Sequence, residues 1–276
     1  MHSKYSTILI PLFLTVVLSA SPQKHIVILH TNDTHSRIEP LPMNDKKNPD
    51  KGGVVRRANY IDQIRKEYRN VLLLDAGDFL QGTPYFNLFK GAVEIEAMNR
   101  MQYDAVTLGN HEFDYGMDQL KTMITAAKFP IVISNYDFSQ TALHGLTQRY
   151  LVLQKEGIRI GILAIGVNPK GLIAADNYKG MVYLDPIGTA NEVATELRLL
   201  HRCDLVICLS HIGYENDILL AEKSRNIDLI IGGHSHTYMK EADIRRNSEE
   251  KEVMIVQTNG HGIYVGRIDM DLEKVP

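Results

Sequence analysis

The sequence predicts an α/β fold in which two mixed β-sheets pack together and helices flank them. Short apolar runs alternate with amphipathic stretches of helical period through the first half of the chain, as in successive βαβ units. The middle of the chain instead predicts a β-hairpin, with strands at 149–154 and 158–165 joined by Lys155, Glu156 and Gly157. Parallel and antiparallel pairing in one chain favours two packed sheets with helices outside.

The first half contains the elements of the βαβ units. A strand at 26–30 leads into a loop at 36–50 that is rich in Pro, Asn and Asp. The later elements of this half are helices predicted at 53–68, 91–101 and 117–127 and strands predicted at 71–75, 105–108 and 131–134. This order of strand and helix predicts parallel neighbours in a sheet.

The second half continues in the same style after the hairpin. Its elements are helices predicted at 188–201 and 214–225 and strands predicted at 204–209, 228–231, 253–257 and 262–270. The one strong run of charges, at 245–252, predicts a solvated turn.

Composition and charge indicate one globular domain, which we expect to span residues 25–272. The chain has 276 residues, and 44% of them are hydrophobic, enough for one large core. A net charge of -3 gives no general attraction to nucleic acid or to anionic lipid, so we expect no nucleic acid polymer as a partner. A phosphate-bearing substrate would have to be held locally, most simply by bound cations.

Residues 1–20 have the pattern of an export signal. Lys4 and the amino terminus form a positive region, residues 7–18 are apolar, and small residues suit cleavage after Ala20 or Ser21. The alternative is an uncleaved anchor, but an apolar run containing Pro11 is short for a span of about 20 residues. We therefore expect an exported protein, periplasmic or secreted, with no stable membrane insertion after the signal is removed.

Polar side chains follow five of the predicted strands, at the points where the strands end. They are of the types that bind divalent metals, namely Asp33, His35, Asp78, Asn110, His111, His211, His234 and His236. Open α/β sheets gather ligand sites at the carboxyl ends of their strands, so these side chains should converge on one edge. Carboxylate, imidazole and amide ligands together suit Zn, Mn, Fe or Co better than Ca.

Spacing and glycine placement support this prediction. Asp33 and His35 are two residues apart at a strand end, so both side chains can point to the same side and meet one ion. Glycine precedes the polar residue in Gly77-Asp78 and in Gly109-Asn110, where the backbone must turn tightly and approach a ligand closely.

The ordered motifs DTH, GD, GNHEFD, SH and GHSH resemble those of the calcineurin-like metallophosphoesterase superfamily. The longer segments HTNDTH, LDAGD, LGNHEFDYG and IGGHSHT are similar to the amino-terminal catalytic domain of secreted 5'-nucleotidases, over residues 25–270. The resemblance implies a four-layer α/β/β/α sandwich with two divalent metal ions. It implies one ion held by Asp33, His35, Asp78 and His236, and a second held by Asp78, Asn110, His211 and His234.

The same resemblance implies catalytic roles for two further residues. His111 would act in its protonated form on the transferring phosphoryl oxygens or on the leaving oxygen, and Asp114 would orient it and raise its pKa. The implied reaction releases phosphate from nucleoside 5'-monophosphates or related small phosphoesters, with two cations activating the water.

Other functions use the same ligand set. Within the superfamily the alternatives are a nucleotide-sugar or dinucleotide pyrophosphatase and a 2',3'-cyclic-nucleotide phosphodiesterase. An alternative of another class is a metal-binding subunit that needs a separate substrate-binding chain. Secreted 5'-nucleotidases continue into a carboxyl-terminal domain with substrate-binding arginines and a base-stacking aromatic pair, whereas this sequence stops at Pro276. We therefore expect a stand-alone phosphatase of broader selectivity or a split enzyme.

Overall fold

The computed structural model describes residues 24–272, so the predicted signal at 1–20 lies outside the described residues. Its strands are β1 (Lys24–Thr31), β2 (Val71–Asp75), β3 (Ala105–Val106), β4 (Tyr136–Asp137), β5 (Tyr150–Lys155), β6 (Ile158–Gly166), β7 (Val182–Tyr183), β8 (Leu205–His211), β9 (Leu229–Gly232), β10 (Asp243–Arg246), β11 (Glu252–Val256) and β12 (Gly266–Leu272). Its α-helices are α1 (Val54–Glu67), α2 (Pro84–Phe89), α3 (Ala92–Met101), α4 (Gly116–Ala126), α5 (Pro186–Leu199) and α6 (Tyr214–Lys223). Short 3₁₀ helices occupy His111–Phe113 and Ala175–Tyr178.

The two large sheets are both mixed. The first has the order β12-β1-β2-β3, with β12 antiparallel to β1 and the other pairs parallel. The second has the order β10-β11-β9-β8-β6-β5, with parallel strands in the centre and antiparallel strands at both edges. The predicted hairpin is therefore present as β5 and β6. A small third sheet pairs β4 with β7.

Alternating side chains of the strands build three separate cores. In β1, Ile26 and Ile28 pack between the two sheets, while Val27 and Leu29 pack under the helices that cover the first sheet. The outer face of the second sheet packs against α5 and α6. The layers therefore run helix, sheet, sheet, helix, which confirms the predicted fold class.

Three sequence predictions differ from the structure in the sheets. The strand predicted at 131–134 makes only isolated bridges. Its neighbour β3 is just two residues long and therefore offers few backbone groups for pairing. The last strand begins at Gly266 rather than at 262, because Asn259, His261 and Gly262 have positive φ and turn the chain there. The charged run at 245–252 is only partly a turn, since β10 occupies its start and β11 begins at its end.

The structure also adds a helix that the sequence analysis did not predict. Helix α2 is six residues long, with Pro84 at its first position and the Thr83 hydroxyl accepting a hydrogen bond from the Tyr85 N–H at 3.3 Å. Thr followed by Pro is a helix-start signal that was present in the sequence. Within residues 24–272, no helix has the length and apolar character needed to cross a membrane.

His30 provides a test of this packing by pH. Its side chain is 2% exposed in β1, and burial lowers its pKa to about 4 from 6.5. A buried neutral histidine stabilises the fold above pH 6.5, and this stability is lost as the pH falls from 6.5 toward 4, because only the unfolded chain then takes up the proton. We expect His30→Leu to reduce the loss of unfolding free energy between about pH 7.5 and about pH 4.5 by about 2.5 kcal/mol in denaturant titrations.

The exposed His144 supplies the control, because His144→Gln should leave the acid-induced loss unchanged. An equal loss of stability in wild type and His30→Leu would show that His30 is not buried as a neutral group.

Candidate metal centre

The side chains predicted to bind metal all lie at the carboxyl ends of strands, as expected. Asp33 and His35 follow β1, Asp78 follows β2, and Asn110 follows β3 in the first sheet. In the second sheet, His211 is the last residue of β8, and His234 and His236 follow β9. Both sheets therefore contribute to one edge of the sandwich.

A first group consists of Asp33, His35 and His236. One possible ligand atom from each residue lies within 4.8 Å of the others. The Nε2 atom of His236 is 3.4 Å from Oδ1 of Asp33 and 2.8 Å from Nε2 of His35. Two imidazole nitrogens and a buried carboxylate oxygen thus point to one place.

A second group consists of Asp78, His211 and His234, with the same 4.8 Å spacing of possible ligand atoms. Nε2 of His211 is 3.1 Å from Oδ2 of Asp78 and 4.0 Å from Oδ1 of Asp33. The two groups therefore adjoin each other. Asn110 belongs to neither three-residue group, but its Oδ1 atom is buried without a hydrogen-bond partner in the described part of the chain.

Orphaned polar atoms show that this arrangement fits bound cations. Nδ1 of His211 lies 2.7 Å from the Ala76 carbonyl oxygen, so Nδ1 carries the proton when the ring is neutral and Nε2 keeps its lone pair. Among residues 24–272, Oδ1 of Asn110 is buried without a hydrogen-bond partner, and the buried Nε2 of His211 makes no hydrogen bond of good geometry, although it lies 3.1 Å from Oδ2 of Asp78. Buried polar atoms of this kind are expected where a ligand or an ion binds.

Five of these side chains extend from backbone in the left-handed region. The φ angles are 49° at Asp33, 47° at His35, 54° at Asp78, 72° at His234 and 50° at His236. This conformation is uncommon for residues other than glycine and persists where surrounding contacts hold it. Here the Asp33 N–H donates to the Gly77 carbonyl and the His35 N–H donates to the Asp78 carbonyl, so one ligand loop braces the other.

The Asp33 carboxylate also links the two sheets. Both of its oxygens accept from the His234 N–H at 3.0 Å, and Oδ2 accepts from Nδ2 of Asn32 at 2.6 Å. Gly109 shows how tight the site is, because a Cβ atom there would lie 2.2 Å from Oδ1 of Asp78 and 2.6 Å from Nε2 of His211. Glycine at this position is required by close approach.

Electrostatic shifts show that positive charge is favoured beside Asp78. Burial opposes charge on both Asp78 and His211, but their mutual attraction outweighs it, raising the pKa of His211 to about 10 and lowering that of Asp78. For His35 burial dominates and lowers the pKa to about 4, which keeps its imidazole neutral and able to act as a ligand. A proton on His211 and a metal cation near Asp78 would each supply the positive charge that the buried Asp78 carboxylate requires.

His111 belongs to neither three-residue group, but its ring lies beside the first, with its centroid 5.5 Å from that of His35. Its side chain is 33% exposed, and its Nδ1 lies 2.9 Å from Oδ2 of Asp114. That hydrogen bond raises the pKa of His111 although partial burial opposes the shift. The His111 backbone N–H donates to Oδ1 of Asp78 at 2.9 Å, which holds the His111 backbone beside the second group.

Two nearby residues were not predicted to belong to the site. The buried Glu112 accepts hydrogen bonds from the N–H groups of Asp78 at 2.9 Å, Leu80 at 3.1 Å and Gly109 at 2.6 Å, and so holds two ligand loops together. The His261 ring has its centroid 5.6 Å from that of His35 and also 5.6 Å from that of His236. The position of Glu112 within the GNHE motif could have indicated its role, whereas the Gly-rich segment of His261 also fits an ordinary turn.

Known proteins share both the sequence pattern and the fold. The family model described as calcineurin-like phosphoesterase matches residues 26–238. The chain is 34% identical to human 5'-nucleotidase over 281 residues, which cover 94% of this chain and 48% of that protein. The chain thus spans about half the length of this relative.

Two solved structures extend the comparison. The structure of a 5'-nucleotidase precursor from Thermus thermophilus has a TM-score of 0.81 and 33% identity, covering 89% of this chain and 51% of that one. The structure of Haemophilus influenzae NAD nucleotidase has a TM-score of 0.84 and 28% identity, covering 92% and 48%. With the motifs and the layered fold, these matches show that the chain belongs to the calcineurin-like phosphoesterase family, whose members use a dinuclear metal centre.

Proposed function

We propose that this protein is a dinuclear-metal phosphohydrolase that releases phosphate from nucleoside 5'-monophosphates or related small phosphoesters. The observation that carries the proposal is the pair of adjoining ligand groups with the His111–Asp114 pair beside them. Similarity to the human 5'-nucleotidase supports the nucleotide as substrate. The export pattern of residues 1–20 supports a periplasmic or secreted location, and 25–272 remains the expected domain.

We assign the ligands as two overlapping sets. Asp33, His35 and His236 would hold one ion and His211 and His234 the other, with Asp78 shared and Asn110 completing the second set. When bound, two such cations supply charge for the phosphoryl oxygens and lower the pKa of a water. Mixed nitrogen and oxygen donors favour Zn, Mn, Fe or Co.

The protein itself contributes a positioned proton at His111. Because Nδ1 is bonded to Asp114, Nε2 is the atom left to donate to a phosphoryl oxygen or to the leaving oxygen. The raised pKa of His111 keeps the ring protonated at higher pH than a free histidine. Glu112 and the glycines keep the ligand loops in place, so little reorganisation accompanies binding.

A second candidate reaction is hydrolysis of a dinucleotide or nucleotide-sugar pyrophosphate, which the likeness to NAD nucleotidase supports. The same groups would act, but the leaving group would be a second phosphate. The 2',3'-cyclic-nucleotide phosphodiesterase alternative uses the same centre and has no separate support in the geometry.

We further propose that a separate chain contacts the part of the substrate beyond its phosphate, such as the base of a nucleotide. Apolar side chains are exposed close to the catalytic pair, with Leu88 and Phe89 on α2 and Tyr115 next to Asp114. Tyr115 packs on the buried Phe86 of α2 with ring centroids 4.9 Å apart, so the helix that carries Leu88 and Phe89 adjoins Tyr115. Such a surface suits a protein partner that covers the substrate.

The main prediction is release of phosphate from AMP by the mature chain supplied with Mn or Zn. Release should stop when a chelator removes the metal and return when metal is added back. Phosphate detection with AMP, NAD and a 2',3'-cyclic nucleotide in parallel would separate the three reactions. Retention of two metals with no turnover of any of them would contradict the proposed activity of this chain alone.

A partner that contacts the base should act mainly on KM. We expect addition of such a chain to lower KM for nucleoside monophosphates about tenfold, because one stacked base contributes about 1–3 kcal/mol. Steady-state kinetics with and without a chain that co-purifies with the protein would test this. Leu88→Ser should abolish the effect of the partner while leaving the basal rate unchanged, and identical kinetics with and without the partner would contradict the proposal.

Asp78→Asn should weaken both ions, because one carboxylate is shared. Elemental analysis of the purified variant should find far less than two metals per chain, and activity should fall in parallel. The exposed Asp118 gives a matched control, since Asp118→Asn should retain both ions. Loss of a single ion from Asp78→Asn would count against the shared role.

His111→Asn should separate turnover from metal content. We expect kcat to fall about 10²–10⁴-fold, since a proton donor to the reacting group is removed, while two metals remain bound. Asp114→Asn should lower kcat by a smaller factor of about 10–100. A large drop in metal content in either variant would show that the pair acts as ligand support instead.

A further inference from the structure

We propose a separate binding site for a phosphate-sized oxyanion at the amino-terminal end of α1. A surface cavity of 270 Å³ lies there, lined by Gly52, Gly53, Arg56, Arg57, Tyr60 and residues 262–265. None of the proposed metal ligands lines it. Two arginines, two tyrosines and a helix start are the chemistry of an oxyanion site.

Arg57 is the feature that points to a ligand. Its side chain is in the first turn of α1, and the residue is only 8% exposed. Within residues 24–272, its Nε atom is buried without a hydrogen-bond partner. Nη1 lies against Gly262, another lining residue, where an added Cβ atom would be 2.8 Å away. A buried guanidinium with unused donors favours an anion in the adjacent cavity.

The nearby carboxylates are committed elsewhere. Asp75 acts on Arg57 through its charge, but no hydrogen bond or direct ion pair joins the two among residues 24–272; its oxygens accept from the Thr31 hydroxyl at 2.5 Å and from the Gly77 N–H at 2.9 Å. Asp50 pairs with the exposed Arg56 at 3.0 Å. Arg56 therefore brings a carboxylate to the rim of the cavity, whereas Arg57 forms no direct ion pair with a carboxylate among residues 24–272.

The start of α1 adds a second, independent attraction for an anion. The helix is 14 residues long, its N-cap is Gly53, and no side chain caps it. The first turn also lacks acidic residues. The Val54 N–H already donates to the Ile38 carbonyl at 2.8 Å, so the attraction for an anion comes from the next N–H groups of the first turn and from the helix dipole, which favours negative charge at this end.

The proposal is tested by titrating the purified mature protein with inorganic phosphate, before and after chelation. Chelation removes the contribution of the metal centre, and calorimetry should still show one saturable site with a Kd of about 1 mM or tighter. A parallel titration with AMP distinguishes the two kinds of ligand. If AMP and inorganic phosphate both bind, the site accepts phosphomonoesters; if only inorganic phosphate binds, the site accepts a free oxyanion. No saturable binding to chelated protein up to about 10 mM phosphate overturns the proposal.

Variants then locate the site. Arg57→Gln should weaken phosphate binding to the chelated protein about tenfold or more, since a charge-assisted hydrogen bond is lost. Unchanged binding in a folded Arg57→Gln protein overturns the assignment.

Because Arg57 is buried and its substitution could prevent folding, a second pair of variants uses the exposed Val55 in the first turn. Val55→Glu should weaken binding about 2–5-fold by placing a competing carboxylate at the helix start, whereas Val55→Gln should bind as wild type. Equal affinities of the Glu and Gln variants would also overturn the site. These measurements do not depend on hydrolysis, so the site can fail or hold independently of the proposed function.

Discussion

The structure depends on compensating two buried carboxylates where the two sheets end. Asp33 is fully buried and Asp78 is 2% exposed, and both face imidazole nitrogens. Burying a carboxylate without a partner charge is costly, so this edge is stable only with positive charge close to both groups. Protonation of His211 meets part of that need in the metal-free protein, and two cations would meet it fully.

Packing between the sheets determines the geometry of the site. Asp33 belongs to the first sheet, yet its carboxylate accepts from the backbone of His234, which follows a strand of the second sheet. The distance between those loops is fixed by the apolar layer between the sheets, in which Ile28 and Leu74 face Leu209 and Ile231. Close-packed layers of this kind resist small displacements. The apolar core therefore sets the distance between the loops that carry the proposed ligands.

The sequence predicted the parts of this site that follow directly from strand ends. A buried strand followed by Asp or His places a ligand at a known edge, so the convergence of Asp33, Asp78 and His211 could be expected. The position of His261 could not, because it depends on left-handed backbone in a turn with no periodic pattern. The edge strand β10 was missed for another reason: its charged residues suit an edge exposed to solvent but also suit a turn.

Hydrogen bonds from the second ring nitrogen explain how one site can use imidazole in two ways. Nδ1 of His211 meets the neutral carbonyl of Ala76, which orients the ring and leaves Nε2 for an ion. Nδ1 of His111 meets the Asp114 carboxylate, which stabilises the protonated ring. The two rings also differ in exposure. His211 is fully buried, whereas the His111 side chain is partly exposed and can reach a substrate. The two rings thus differ mainly in the surroundings of Nε2, which in His211 lies buried 3.1 Å from Oδ2 of Asp78 and in His111 belongs to a side chain that is 33% exposed.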